Sequence, residues 1–245
     1  MTRILKFTGA LSCTLALSGA WAAPKDQDDV LLWVAAEVEI SPEGTITALQ
    51  WKDTRKAMKT ITERIEPAVR AWRFEPGTVD GVPQPTVTHL SLRLRAVTNG
   101  DTVAIHVDHA STGAKSSLLA HPRYPVSAAR ANADAVLVAN VAVSADGATT
   151  VESIDFRGNR PAYRRQFVEA TQDAIAKWSF VPERVGGRPL ATRMQIPVTF
   201  CITTIDCEHK YPAPDGESPR VGPPGQPVAL ESAVRLIDAV AGRAL

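Results

Sequence analysis

The sequence predicts an α+β fold: two tandem copies of one small module, each a helix packed on a three- to four-stranded antiparallel sheet. Three observations carry this. Trp72-Arg73-Phe74-Glu75-Pro76 recurs as Trp178-Ser179-Phe180-Val181-Pro182, and Gly81-Val82-Pro83 recurs at the same offset as Gly187-Arg188-Pro189. Ahead of each lies a stretch with helical apolar spacing. Ahead of that lie two stretches that alternate as half-buried strands do, joined by Ser41-Pro42-Glu43-Gly44 in one half and Ser144-Ala145-Asp146-Gly147 in the other. The matches keep their order, so the repeating unit is a whole domain and the chain is not a solenoid.

Taken in chain order, residues 1–22 read as a secretory signal. Arg3 and Lys6 precede an uncharged, mostly apolar stretch, and Ala20-Trp21-Ala22 supplies a small-x-small cleavage pattern, so the mature chain starts at Ala23. An uncleaved inner-membrane anchor is the alternative, but the apolar run falls short of the roughly 20 residues that a span needs. Residues 23–96 form the first module. Val34, Ala36, Val38 and Ile40 share one strand face, residues 45–51 return as a hairpin, and residues 54–71 are helical, with a kink or restart expected at Pro67. Its last strand, at 85–96, buries Leu90, Leu92 and Leu94. Residues 97–120 connect the modules, with an extra strand where Val103, Ile105 and Val107 alternate.

The second module spans residues 121–207. Strands at 136–143 and 149–155 precede a helix at 161–177 that opens on Pro161, where a missing N–H costs nothing. Phe167, Ala170, Thr171, Ala174, Ile175 and Trp178 form its buried stripe, and residues 190–202 make the last strand. A Pro- and Gly-rich linker at 208–227 leads to an amphipathic helix at 228–245, with Leu230, Ala233, Val234, Ile237 and Val240 on one face.

Charge and motifs narrow the function. The formal net charge is +1, and it becomes −1 once Arg3 and Lys6 leave with the signal. So neutral a chain has no electrostatic footprint for nucleic acid or anionic lipid. In an oxidising compartment Cys201 and Cys207 read as a disulfide closing a short loop. Two separate thiols are the plainer reading, and zinc suits them less, since only His209 lies near and a tetrahedral site takes four ligands. His106 and His109, three apart on a strand, fall on opposite faces and do not make a metal pair. Nucleophile-elbow, zinc-helix, phosphate-loop and dinucleotide motifs are absent, so no enzyme, cofactor or small-molecule substrate is expected.

Tyr124-Pro125, Asp146-Gly147, Trp178-Ser179-Phe180-Val181-Pro182, Gly187-Arg188-Pro189 and Ile196-Pro197-Val198-Thr199-Phe200 together resemble the TonB C-terminal domain family. The first half keeps Trp72, Phe74 and Pro76 but has no Tyr-Pro start, so the resemblance is strong only in the second half. It implies a periplasmic module that captures an extended peptide of an outer-membrane receptor, or another envelope protein, at a sheet edge, in the service of TonB-dependent transport. The implied edge is the last strand, with Arg193, Gln195, Pro197, Val198, Thr199 and Phe200 as partner-binding residues. Trp72, Phe74, Pro76, Tyr124, Pro125, Trp178, Phe180 and Pro182 are then structural. The family's N-terminal anchor and long Pro-rich spacer are not evident, which implies binding without force transmission. Homodimerisation through the same edges is the assembly alternative.

Overall fold

The structure is a computed structural model that describes residues 29–99, 102–202 and 227–245. The signal segment, Cys207 and all of the linker but its last residue lie outside them. No helix among the described residues is long and apolar enough to cross a membrane.

The first half contains β1 (Val30–Ile40), β2 (Ile46–Trp51), α1 (Lys56–Arg70), the short strands β3 (Phe74–Glu75), β4 (Thr78–Val79) and β5 (Val82–Pro83), and then β6 (Thr86–Asn99) and β7 (Thr102–Gly113). The second contains β8 (Lys115–Leu118), α2 (Val126–Arg130), β9 (Ala135–Val143), β10 (Thr149–Gly158), a 3-10 turn (Pro161–Tyr163), α3 (Arg164–Ile175), β11 (Ser179–Val181), β12 (Arg184–Val185), β13 (Arg188–Pro189) and β14 (Thr192–Phe200). After the linker come β15 (Val228–Ala229) and β16 (Arg235–Leu236). Hairpin, helix, short strands and long strand thus occur twice in the same order, as mixed helix and antiparallel sheet.

The hairpin turns have the same construction. Gly44 at φ +81° and Gly147 at φ +86° occupy the left-handed region, and their carbonyls accept from Phe74 N at 2.9 Å and Phe180 N at 3.2 Å. A Cβ at either glycine would come within 2.0 Å and 2.1 Å of the Phe74 and Phe180 carbonyl oxygens. The turn therefore needs glycine twice over, for its backbone angle and for the close approach of the Trp-x-Phe-x-Pro segment. That contact is why the Gly and Phe positions recur together in the sequence.

Each half has its own core. In the first, Val34, Ala36, Val38 and Ile40 of β1 and Leu90, Leu92 and Leu94 of β6 face Ile65 and Val69 of α1. Apolar burial holds α1 in place, for it has no side-chain cap at its start. It passes through Pro67 as one helix, so the expected restart is absent. In the second, Leu137, Ala139 and Val141 of β9 and Met194, Ile196, Val198 and Phe200 of β14 pack on Phe167, Ala174 and Ile175 of α3.

Three expectations need correction. The connector strand β7 runs twelve residues, to Gly113, and pairs along β6 from Asn99 to His89, which makes β6 an interior strand. A bulge at Asp108 shifts that register, so His106 lies opposite Arg95 and His109 opposite Arg93. Directly paired residues share a face, and the bulge's extra residue brings both histidines to the same side. Finally, residues 228–245 are extended and not helical. Val228, Val234 and Val240 are buried while Leu230 and Ile237 stand half exposed or more. Pairing with existing strands and sockets in the first core override the local helical spacing.

The tail ties the halves together. It leaves β14 through β15, pairs β3 through β16, and inserts Val234 and Val240 into the first core. Its end runs along β7, where Leu245 N donates to Ile105 O at 2.8 Å and Val107 N donates to Arg243 O at 2.9 Å. From the second half, β12 adds to β6, pairing Arg184 with Val87 and Val185 with Thr86. At the junction the buried Glu183 carboxylate accepts from Thr88 Oγ1 at 2.5 Å, Ser232 Oγ at 2.8 Å and Ala233 N at 2.8 Å.

Candidate functional site

The second sheet has the order β10-β9-β14-β15. On its inner side β14 pairs with β9 from Thr192 to Phe200. Outward, among the described residues, only β15 pairs with it, at Met194 and Gln195. Leu230 N donates to Arg193 O at 2.9 Å, which fixes the outward-facing set of main-chain groups. Alternation then turns the groups of Arg193, Gln195, Pro197 and Thr199 outward, and those of Met194, Ile196, Val198 and Phe200 toward β9. Pro197 thus stands where its missing N–H breaks no bond of the β9 ladder. Beyond β15 the edge presents Pro197 O together with the N–H and C=O of Thr199.

The six predicted edge residues divide by side chain. Val198 and Phe200 are buried in the core, at 4% and 2% exposure, so they cannot touch a partner through their side chains. This corrects the sequence expectation, and its cause is the two-residue strand period. Arg193, Gln195, Pro197 and Thr199 lie on the other face. Arg193 Nε sits 3.2 Å from Glu152 of β10, and its guanidinium is 3.9 Å from Glu231 in the tail. Gln195 Nε2 donates to Asn140 Oδ1 at 3.4 Å. The tail is held against this edge by Thr192, whose hydroxyl donates to Glu231 O at 2.5 Å.

The signature residues are packing anchors. Trp72 and Trp178 are each 7% exposed, and Trp178 Nε1 donates to Ala120 O at 2.7 Å. Phe74 and Phe180 are buried beside the hairpin turns, and Pro76 and Pro182 are half-buried. Tyr124 donates to Ala133 O and meets Phe167 and Phe200 edge-on at 5.7 and 5.5 Å between ring centres. Pro125 occupies the N-cap of α2. Cys201 follows the last residue of β14 directly.

The sequence reading missed two features. One is the tail on the β14 edge, whose local pattern imitates a helix. The other is Glu183, an acidic residue directly after the Trp-x-Phe-x-Pro run, whose donors come from positions 95, 49 and 50 residues away. Among the described residues no group of three or more His, Cys, Asp or Glu side chains is placed to hold a metal.

Comparison with known proteins points the same way. The family model for the Gram-negative bacterial TonB protein C-terminal matches residues 120–202. Protein TonB of Xanthomonas campestris pv. campestris strain B100 is 31% identical over 93 residues. The protein of the same name from strain ATCC 33913 gives the same identity over the same length. The matched stretch is 38% of this chain and 40% of the length of each relative. The matched segment holds the Tyr-Pro lead-in, the hairpin, α3, the Trp-x-Phe-x-Pro exit and β14, so residues 120–202 are similar to the TonB C-terminal family across the whole of that unit.

Proposed function

We propose that this protein is a periplasmic TonB-like binding module that takes an extended segment of an outer-membrane receptor, or of another envelope protein, by strand addition at β14, and so serves TonB-dependent transport. One observation carries the reading: the outer side of β14 already accepts an antiparallel strand, β15, through main-chain bonds at Arg193 to Gln195. An edge that takes one extended segment offers the same groups to another, with alternate side chains giving selectivity. The entering segment meets Arg193, Gln195 and Thr199 on the outer face and the main chain of Pro197 and Thr199. Residues 30–99 act as a divergent second copy of the module, supported by the twin glycine turns and the shared element order. Export through a cleaved signal supplies the compartment in which Cys201 pairs with Cys207; the disulfide-bonded state of Cys201 supports that pairing.

Titrating the labelled chain with a panel of receptor plug peptides tests the reading. Amide shifts concentrated at Gln195 and Thr199 are expected, with binding lost in Thr199→Pro. A panel that leaves both amides unmoved rejects it. A second reading, homodimerisation, draws on β12 and β7 already covering β6, which takes that strand out of use as an edge. It requires β14 to close on a second copy, which light scattering would detect as a doubled mass.

A further inference from the structure

Where the second half meets the first, Glu37, His89 and Lys115 on one side and Pro182, Glu183 and Arg184 on the other line a cavity of about 140 Å³. His89 lies within the first sheet, opposite Glu37 of β1 and Gly113 of β7. Its Nδ1 is buried and has no hydrogen-bond partner. Buried polar atoms of this kind are rare, and each calls for a partner.

The charges around it are unbalanced. Lys115 and Arg184 form no ion pair among the described residues, and Lys52 sits 3.2 Å from Glu37. The Glu37 carboxyl is held below its ordinary value by its hydrogen bond to Lys52, with Lys115 and Arg184 adding to the effect. Glu183 also borders the cavity, but its oxygens are engaged by Thr88, Ser232 and Ala233. Three cations therefore act on a small space in which Glu37 is the one carboxylate not already engaged by the tail.

We propose that this cavity binds an oxyanion, a carboxylate or phosphate-type group, seated between Lys115 and Arg184 beside the His89 ring. A charged group so placed gains charge-assisted hydrogen bonds in a partly desolvated site. Because β12 brings Arg184 to β6, the site exists only while the two halves are docked, and a bound anion strengthens that docking. The oxyanion comes either from solution or from an acidic side chain of a protein partner.

The test is NMR of the full chain labelled with 15N-histidine, titrated in separate arms with inorganic phosphate and with the N-acetyl amide of glutamate. Burial first, then Lys115 and Lys52, push His89 down to about 4, with Glu37 opposing. An anion offsets both lysines, so the His89 imidazole signals should move saturably and its pKa should rise by about one unit. Binding should weaken about tenfold in K115Q and in R184Q, both exposed or half-buried positions. It should be unchanged in K59Q, on the exposed face of α1. Tighter binding of the glutamate probe assigns the site to an acidic side chain, and tighter binding of phosphate to a free oxyanion. No saturable response in either arm, or a response that K115Q and R184Q leave intact, overturns the proposal.

Discussion

Gly44 and Gly147 combine a left-handed backbone with a carbonyl oxygen about 2 Å from any added Cβ. Gly147→Ala should therefore destabilise the protein by about 2 kcal/mol or more, and Gly44→Ala by a similar amount. Urea denaturation followed by tryptophan fluorescence would read both, and a change below about 0.5 kcal/mol in either would contradict the geometry. His89 makes a second statement at this scale. It is held neutral down to about pH 4, while the unfolded chain takes up its proton near 6.5. The unfolded state binds more protons between those values, so stability should rise with pH across that window, by at most about 3 kcal/mol. The slope belongs to His89 if His89→Gln flattens it. Sequence spacing identified both glycines but not the histidine's surroundings, since Lys115 and Glu37 reach it from separate strands and Arg184 from the other half.

At the scale of elements, the tail is the feature to test. Val234 and Val240 fill the first core at 2% and 4% exposure, and main-chain bonds fasten Gly242 to Leu245 along β7. Val234→Ala should cost roughly 2 kcal/mol. Removing residues 228–245 should cost more, and should speed hydrogen exchange at Val107, whose N–H donates to Arg243 O. If β14 is the binding edge, the same truncation should bind plug peptides more tightly, because Met194 and Gln195 lose their present neighbour. The long strands, the hairpins and α3 were legible because their periodicity is local and one face of each is buried. The tail was not, since Leu230, Ala233, Val234, Ile237 and Val240 keep helical spacing although the segment is ordered by strands 33 to 162 residues away in sequence. The reach of β7 and its bulge were hidden for the same reason: a bulge is set by the partner strand's register, which one strand's alternation cannot encode. Of the proposed edge, Arg193, Gln195, Pro197 and Thr199 share one face of β14, while Val198 and Phe200 were drawn in because a motif ignores which way alternate residues point.

Across the whole molecule, two cores share one fastening. Glu183 of the second half receives donors from the first half and from the tail at a point 2% exposed to solvent. Two modules joined only by a linker would unfold independently, whereas here β12, Glu183 and the tail couple them. Calorimetry of the intact protein should give one transition. Glu183→Ala leaves three donors without their acceptor and should separate the halves into two transitions. A single, merely lowered transition in that variant would mean that β12 and the tail suffice without the carboxylate.

Synthesis delivers a chain from its N-terminus, and the module that emerges first here is the one finished last. Its core stays open at the positions of Val234 and Val240 until residues 228–245 have appeared, while residues 120–202 have their own core to close. A ribosome or translocon stalled before residue 228 would hold a half-built domain with its apolar interior showing, a target for chaperones and proteases. The first core is therefore hidden only once the chain has been read through Val240.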